Sequence, residues 1–286
     1  MSLSDLLVAS LPLQYIPSSL HSFQAGKTPL STLPVVLPVL AGYVATVFTL
    51  REVMRNREPI RLNTLFRAHN AILTLGSGLL LALMLEDALP KTLNHGILYG
   101  MCGRSIWTPK MELYYLINYY FKYLELLDTV FIALRKKPLT FLHVYHHTAT
   151  AFLCWVGLHE HISGAWLAIT INLTVHVFMY YYYWATAGGQ RIWWKRYLTQ
   201  MQIGQFIVDL AFICYAVGYM LSNDFSFLAP FASRIWPALP YGQTGCAATY
   251  RSAAFAAPVA TSYLLLFVRF YVQTYTKRRG IKGKSE

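Results

Sequence analysis

Seven stretches of the chain, at roughly 33–50, 65–85, 112–134, 139–158, 162–186, 197–221 and 252–276, are apolar. Each is close to the length of about 20 residues that a helix needs to cross a bilayer core. The pattern predicts an all-α integral membrane protein with seven transmembrane helices. The first stretch is punctuated by Pro34 and Pro38, and the third and fifth carry many tyrosines and polar groups. Composition agrees with the pattern: 56% of residues are hydrophobic and only 13% charged. Those fractions exclude a disordered chain, a coiled coil and an ordinary soluble enzyme.

The cations orient the helices, because Lys and Arg concentrate in short cytoplasmic loops. Arg51, Arg55, Arg57 and Arg61 lie between the first two stretches, and Arg135, Lys136 and Lys137 between the third and fourth. Arg191, Lys195 and Arg196 follow the fifth, and Lys277, Arg278, Arg279, Lys282 and Lys284 fill the tail. These are fifteen of the 24 cations, against five in the opposite loops. The alternation predicts a lumenal N-terminus and a cytosolic C-terminus. The formal charge of +12 therefore belongs to a membrane face and not to nucleic acid.

Residues 1–32 lack the basic start and apolar core of a signal peptide and read as a lumenal segment. Cys102, Cys154, Cys214 and Cys246 have no metal-type spacing. Cys102 and Cys246 both fall in lumenal loops, which leaves a disulfide between them open. The segment 222–250 reads as a long loop with Pro230, Pro237 and Pro240. No linker separates domains, so residues 1–286 read as one membrane domain.

Ionisable groups inside a span are costly and point to function. On the third stretch, Lys122, Glu125 and Thr129 share a helix face with Asp128 on its flank. The fourth opens with His143-Val-Tyr-His146-His147, whose spacings of three and four gather the imidazoles. Asn172, His176, Met179, Tyr180 and Tyr183 form a stripe on the fifth; Thr199, Gln202, Gln205 and Asp209 form one on the sixth. Counted at 1.5 Å per residue, these groups lie roughly 6–15 Å below the cytoplasmic surface. His69 and Asn70 sit at a similar depth. Each feature also has a plain structural reading. Lys-Glu-Asp can be an ion pair holding helices, Gln and Asn can be interhelical glue, and the tyrosine run can be packing.

A histidine box invites two chemistries. Imidazole ligates iron and zinc, and membrane di-iron oxygenases carry HxxHH boxes. They need about eight histidines on the cytoplasmic side, whereas at most five are available here: His69, His143, His146, His147 and His176. A histidine can instead serve as base or nucleophile in acyl transfer. Cys154 and Cys214 lie deeper than the polar layer, which disfavours a cysteine nucleophile. A seven-helix receptor or transporter is a third possibility, but its polar groups should extend through the membrane.

Four motifs in order carry a specific resemblance. Lys122-xx-Glu125-xx-Asp128-Thr129, His143-Val-Tyr-His146-His147, His176-Val-Phe-Met179-Tyr180-Tyr-Tyr182-Tyr183 and Thr199-Gln-Met-Gln202-Ile-Gly-Gln205 resemble the signatures of the ELO family of very-long-chain fatty-acid elongases, and Arg191-Ile-Trp-Trp-Lys195 resembles its fungal branch. The resemblance implies a 3-oxoacyl-CoA synthase of the endoplasmic reticulum that condenses acyl-CoA with malonyl-CoA. It implies six helices in an inverted barrel around an acyl tunnel, with a seventh helix outside. Both CoA esters are substrates, and neither a metal nor a further cofactor is implied. His146 is the expected nucleophile, with His143, His147, His176 and Asn172 as catalytic partners. Lys122, Glu125, Asp128, Gln202, Gln205, Tyr180 and Tyr183 would bind or orient substrate. Arg135, Lys136, Lys137, Lys195 and Arg196 would meet the CoA phosphates. Lys282-Gly-Lys284-Ser-Glu resembles a dilysine retrieval signal. Membrane lipid is an expected partner; a homodimer and contacts with other elongation-cycle enzymes stay open.

Overall fold

The computed structural model describes residues 2–10, 17–228, 230, 234–236, 239, 243 and 245–276. Among these there is no strand; the architecture is helical throughout. The helices are α1 (Leu3–Ser10), α2 (Leu33–Val53), α3 (Asn63–His95), α4 (Ile97–Cys102), α5 (Pro109–Glu125), α6 (Leu127–Leu134), α7 (Phe141–His159), α8 (Ala165–Ala187), α9 (Lys195–Asp224) and α10 (Tyr250–Tyr271). Each apolar stretch of the sequence is helical. Among the described residues, α2, α3, α9 and the segment Tyr250–Thr276 are long and apolar enough to cross a membrane. The helices α7 and α8 carry tyrosines and polar site residues, which lower their hydropathy, and the third stretch is divided at Leu126 into helices of 17 and 8 residues.

Local chemistry sets several of the boundaries. Thr108, Thr140 and Thr249 each cap a helix by accepting from the backbone N–H of Met111, His143 and Ser252, which satisfies a donor the helix itself cannot. Pro109 occupies the first turn of α5, where a missing N–H costs nothing. The helix α3 runs about ten residues beyond the stretch that hydropathy marks, because Glu86, Asp87 and Lys91 on its last turns are polar.

The third stretch is not one uniform helix. At Leu126 the hydrogen bonds tighten to three-residue spacing, from Leu126 N to the Tyr123 carbonyl and from Thr129 N to the Leu126 carbonyl, both 3.2 Å. The tighter turn advances Asp128 around the axis relative to Lys122 and Glu125.

The neighbours are α3 with α8 and α5, α5 with α7, α7 with α10, α10 with α9, and α9 with α8. By contrast, α2 packs on α6 and α7. At one end of the bundle, residues 22–31 lie against α5 and α7. There Tyr119, Tyr120 and Trp155 donate to the carbonyls of Leu30, Pro29 and Ser31, and Phe23 N donates to Glu112. At the same end Cys102 is joined to Cys246, so the pairing left open by the sequence is formed. The bond closes a separation of 144 residues, and its removal is expected to lower stability by about 2–5 kcal/mol. A thermal unfolding scan of Cys102→Ser, with and without reductant, checks this. The variant should melt lower and lose its sensitivity to reductant. The basic tail 277–286, including Lys282 and Lys284, and Pro237 and Pro240 lie outside the described residues.

Candidate active site

The cap at Thr140 starts α7 just before its histidines, and the three- and four-residue spacings put them on one side. The rings of His143 and His147 are 4.4 Å apart, and those of His146 and His147 are 5.7 Å apart. The ring of His146 is enclosed by Tyr263 at 4.6 Å, Phe267 at 5.9 Å and Phe206 at 6.3 Å. The Tyr263 hydroxyl donates to the His146 carbonyl at 3.0 Å. The Nδ1 atom of His146 is buried without a protein hydrogen-bond partner.

A charged network faces these imidazoles from α5 and α8. Lys122 is 2% and Glu125 4% exposed. The Lys122 ammonium donates to Glu125 Oε1 at 2.9 Å and to Asn172 Oδ1 at 2.8 Å. That second bond fixes the Asn172 amide, so its NH2 points to His176 Nε2 at 3.2 Å. His176 Nε2 then accepts, and the ring proton rests on Nδ1, which stands 3.1 Å from Glu125 Oε1. One lysine thus sets the tautomer of a histidine on another helix.

Asp128 belongs to a separate pair of contacts. The tightened turn at Leu126 carries its carboxylate to His69 Nε2, 2.9 Å away, and the Tyr180 hydroxyl donates to its other oxygen at 2.9 Å. Thr129 accepts from Tyr43 of α2 at 2.5 Å. Two buried carboxylates therefore stand beside two different imidazoles: Asp128 is hydrogen-bonded to His69, and Glu125 lies 3.1 Å from His176 Nδ1.

Two cavities meet this layer. One, of about 240 Å³, runs from His146, Lys122, Asn172 and Gln205 to Leu158 and Met101 near the disulfide, between mostly apolar side chains. The other, of about 350 Å³, is lined by His143, Asp128, Tyr183, Arg135 and Lys137. His146 belongs to the apolar cavity and His143 to the polar one, with His147 in ring contact with both. This arrangement suits a molecule with a polar head and a long apolar tail joined at a reactive group.

The structure gathers most of the expected site. Tyr180 is fully buried on Asp128, and Gln202 donates to the Met179 sulfur at 3.5 Å. Of the five cations expected to meet phosphates, Arg135 and Lys137 line the polar cavity. Lys136 instead donates to the carbonyls of Arg55 and Arg57, and Arg196 to the Tyr271 hydroxyl at 2.6 Å. Lys195 is exposed at the start of α9. Sequence reasoning missed Tyr263, Phe206 and Phe267, the box around His146. The four-residue spacing of Tyr263 and Phe267 was its only visible signal. Among the described residues, no three His, Cys, Asp or Glu side chains converge as a metal-ligand set.

Comparison with known proteins agrees with the four motifs. The model of the family described as ELO: GNS1/SUR4 matches residues 28–283. The chain is similar to "Putative fatty acid elongase 1" of Schizosaccharomyces pombe, 41% identical over 271 residues, covering 95% of this chain and 75% of the relative. It is similar to "Fatty acid elongase A" of Dictyostelium discoideum, 32% identical over 258 residues, covering 90% and 89%. With "Long chain fatty acid elongase 2" of Caenorhabditis elegans it shares 26% identity over 252 residues, covering 87% and 85%.

Proposed function

The chain belongs to the ELO: GNS1/SUR4 family, and on that premise we propose that it is a condensing enzyme of fatty-acid elongation, joining acyl-CoA to malonyl-CoA with release of CO2 and CoA. The observation that carries this reading is the histidine box between an apolar and a polar cavity. The acyl tail occupies the first, and the CoA moiety approaches through the second, where Arg135 and Lys137 meet its phosphates.

In the first half-reaction a nitrogen of His146 attacks the thioester carbonyl. The C–S bond breaks, the thiolate leaves as CoA with the proton lost by the imidazole, and an acyl-imidazole remains. Malonyl-CoA then binds and loses CO2, and its carbanion attacks the acyl carbon. The C–N bond breaks and the departing imidazole nitrogen takes up a proton from solvent, giving 3-oxoacyl-CoA and free His146. His147 and the second amide N–H of Asn172 face the developing oxyanion, His176 holds the Asn172 amide in place, and Gln202, Gln205 and Tyr183 position the ester. Glu125 and Lys122 hold His176 in one tautomer, as Asp128 and Tyr180 hold the adjoining layer.

The helix neighbours support the remaining part of the reading: six helices around the tunnel, with α2 outside. We place this single domain in the endoplasmic reticulum membrane, with the basic loops and tail toward the cytosol. The test is mass spectrometry of purified protein after exposure to acyl-CoA alone. One equivalent of CoA should be released, with an acyl label on His146. Turnover with malonyl-CoA but no label at any histidine overturns the covalent scheme.

The apolar cavity also makes a prediction about chain length. Gly157 lines it, and a Cβ placed there would meet nothing within 4 Å. Gly157→Leu should fill tail space and reduce kcat/KM for the longest accepted acyl-CoA by about tenfold or more. Shorter acyl-CoAs should be spared. Competing acyl-CoAs of graded length in one assay measure the difference.

A further inference from the structure

Two oxygens on the wall of the apolar cavity are left unused by the reaction above. Asn118 on α5 is 1% exposed, and its amide nitrogen donates to the Cys154 sulfur at 3.5 Å. Its Oδ1 is buried with no hydrogen-bond partner. Asp209 on α9 is 9% exposed, and its Oδ1 is likewise buried without a partner. Gln205 is the polar side chain that bears on its carboxyl. Both residues line the cavity together with Leu153, Phe212, Ile213 and Ala260. Buried polar atoms in native proteins are nearly always satisfied, and one left without a partner costs free energy. Two such acceptors on the wall of one mostly apolar cavity call for a donor from outside the chain, and a hydroxyl, with its single proton, can satisfy either of them.

Their depth says what could bring that donor. Asn118 lies one helical turn from Lys122, about 6 Å further along α5, and Asp209 lies about 4.5 Å beyond Phe206, which touches the His146 ring. The acceptors therefore sit past the reacting carbonyl, alongside the first several carbons of the tail. We propose that Asn118 and Asp209 form a second polar station that accepts a hydroxyl on the acyl chain, so that the preferred substrates include hydroxyacyl-CoAs. This rests on the reading of the protein as an acyl-CoA condensing enzyme, and it adds a substrate class to it.

The test compares stearoyl-CoA with monohydroxystearoyl-CoA isomers whose hydroxyl is moved along the chain from beside the thioester to mid-chain. Wild-type enzyme should favour one isomer over stearoyl-CoA by about tenfold or more in kcat/KM, since a site built around a hydroxyl penalises the chain that lacks it. Asp209→Leu should abolish that preference while turnover of stearoyl-CoA is retained, and Asp209→Asn, which keeps an acceptor, should preserve it. Thermal stabilisation of purified protein by each acyl-CoA gives a readout independent of turnover; Asn118→Leu supplies a second variant if Asp209→Leu does not fold. Equal use of every isomer, or an equal loss on both substrate classes in the variants, overturns the proposal. Absence of condensation with every acyl-CoA overturns the condensing reading itself. A ligand-stabilisation preference for one hydroxyl isomer that Asp209→Leu removes would still stand in that case.

Discussion

His146→Gln is expected to lower malonyl-CoA-dependent condensation on the order of 10⁴-fold, because nucleophile and base losses are among the largest single-residue effects on rate. Gln approximates the volume of the imidazole, so the aromatic box of Tyr263, Phe206 and Phe267 stays filled. The bond from Tyr263 goes to the His146 backbone carbonyl and survives the change. Thermal stability should therefore move little while activity disappears. The acyl label and the release of CoA from acyl-CoA alone should vanish together. Loss of condensation with labelling intact would assign His146 to the second half-reaction and not to the first.

Lys122→Met is expected to have the largest effect on stability. Removing the ammonium leaves the Glu125 carboxylate, 4% exposed, without its strongest partner. Breaking one side of a buried pair costs about 3–5 kcal/mol. Replacing both groups, in Lys122→Met with Glu125→Gln, removes the stranded charge and should recover most of the lost stability. Activity should not recover with it. Without the lysine, nothing fixes the Asn172 amide against His176, and in Glu125→Gln a neutral amide replaces the carboxylate beside His176 Nδ1. Melting temperatures in detergent and condensation rates, measured across the single and double variants, separate the two effects. Parallel recovery of both would show that the network is structural only.

Much of this site is readable in the chain because helical periodicity and membrane cost act locally. His143, His146 and His147 fall together by spacing alone. Lys122, Glu125 and Asp128 are conspicuous because charge is rare inside apolar stretches. What spacing could not supply is which helix each group meets. The bond from Lys122 to Asn172 and the bond from Asp128 to His69 cross between helices far apart in sequence. The tightening at Leu126 that sends Glu125 and Asp128 to different partners has no marker such as Pro or Gly. Charge counts likewise put fifteen cations on one face, five of them expected to meet phosphates, yet only the local loop path decides which are free. Lys136 turns back onto the carbonyls of Arg55 and Arg57, while Arg135 and Lys137 reach the polar cavity. Hydropathy ranks α5 and α8 low because their walls carry the chemistry, and Pro34 and Pro38 weaken the reading of the first stretch, although α2 runs unbroken through Pro38.

The end of the bundle closed by residues 22–31 and by the Cys102–Cys246 bond also sets an order of events during synthesis. Trp155 must have emerged before it can hold Ser31, a separation of 124 residues, and Cys246 before it can reach Cys102. Contacts between distant parts of a chain wait for the later part to be made. The histidine layer draws on residues up to Phe267, so α10 completes the box around His146 only after every part of the closed end, through Cys246, has been made. A nascent chain short of α10 can therefore have its far end fastened while its reactive group is still unenclosed.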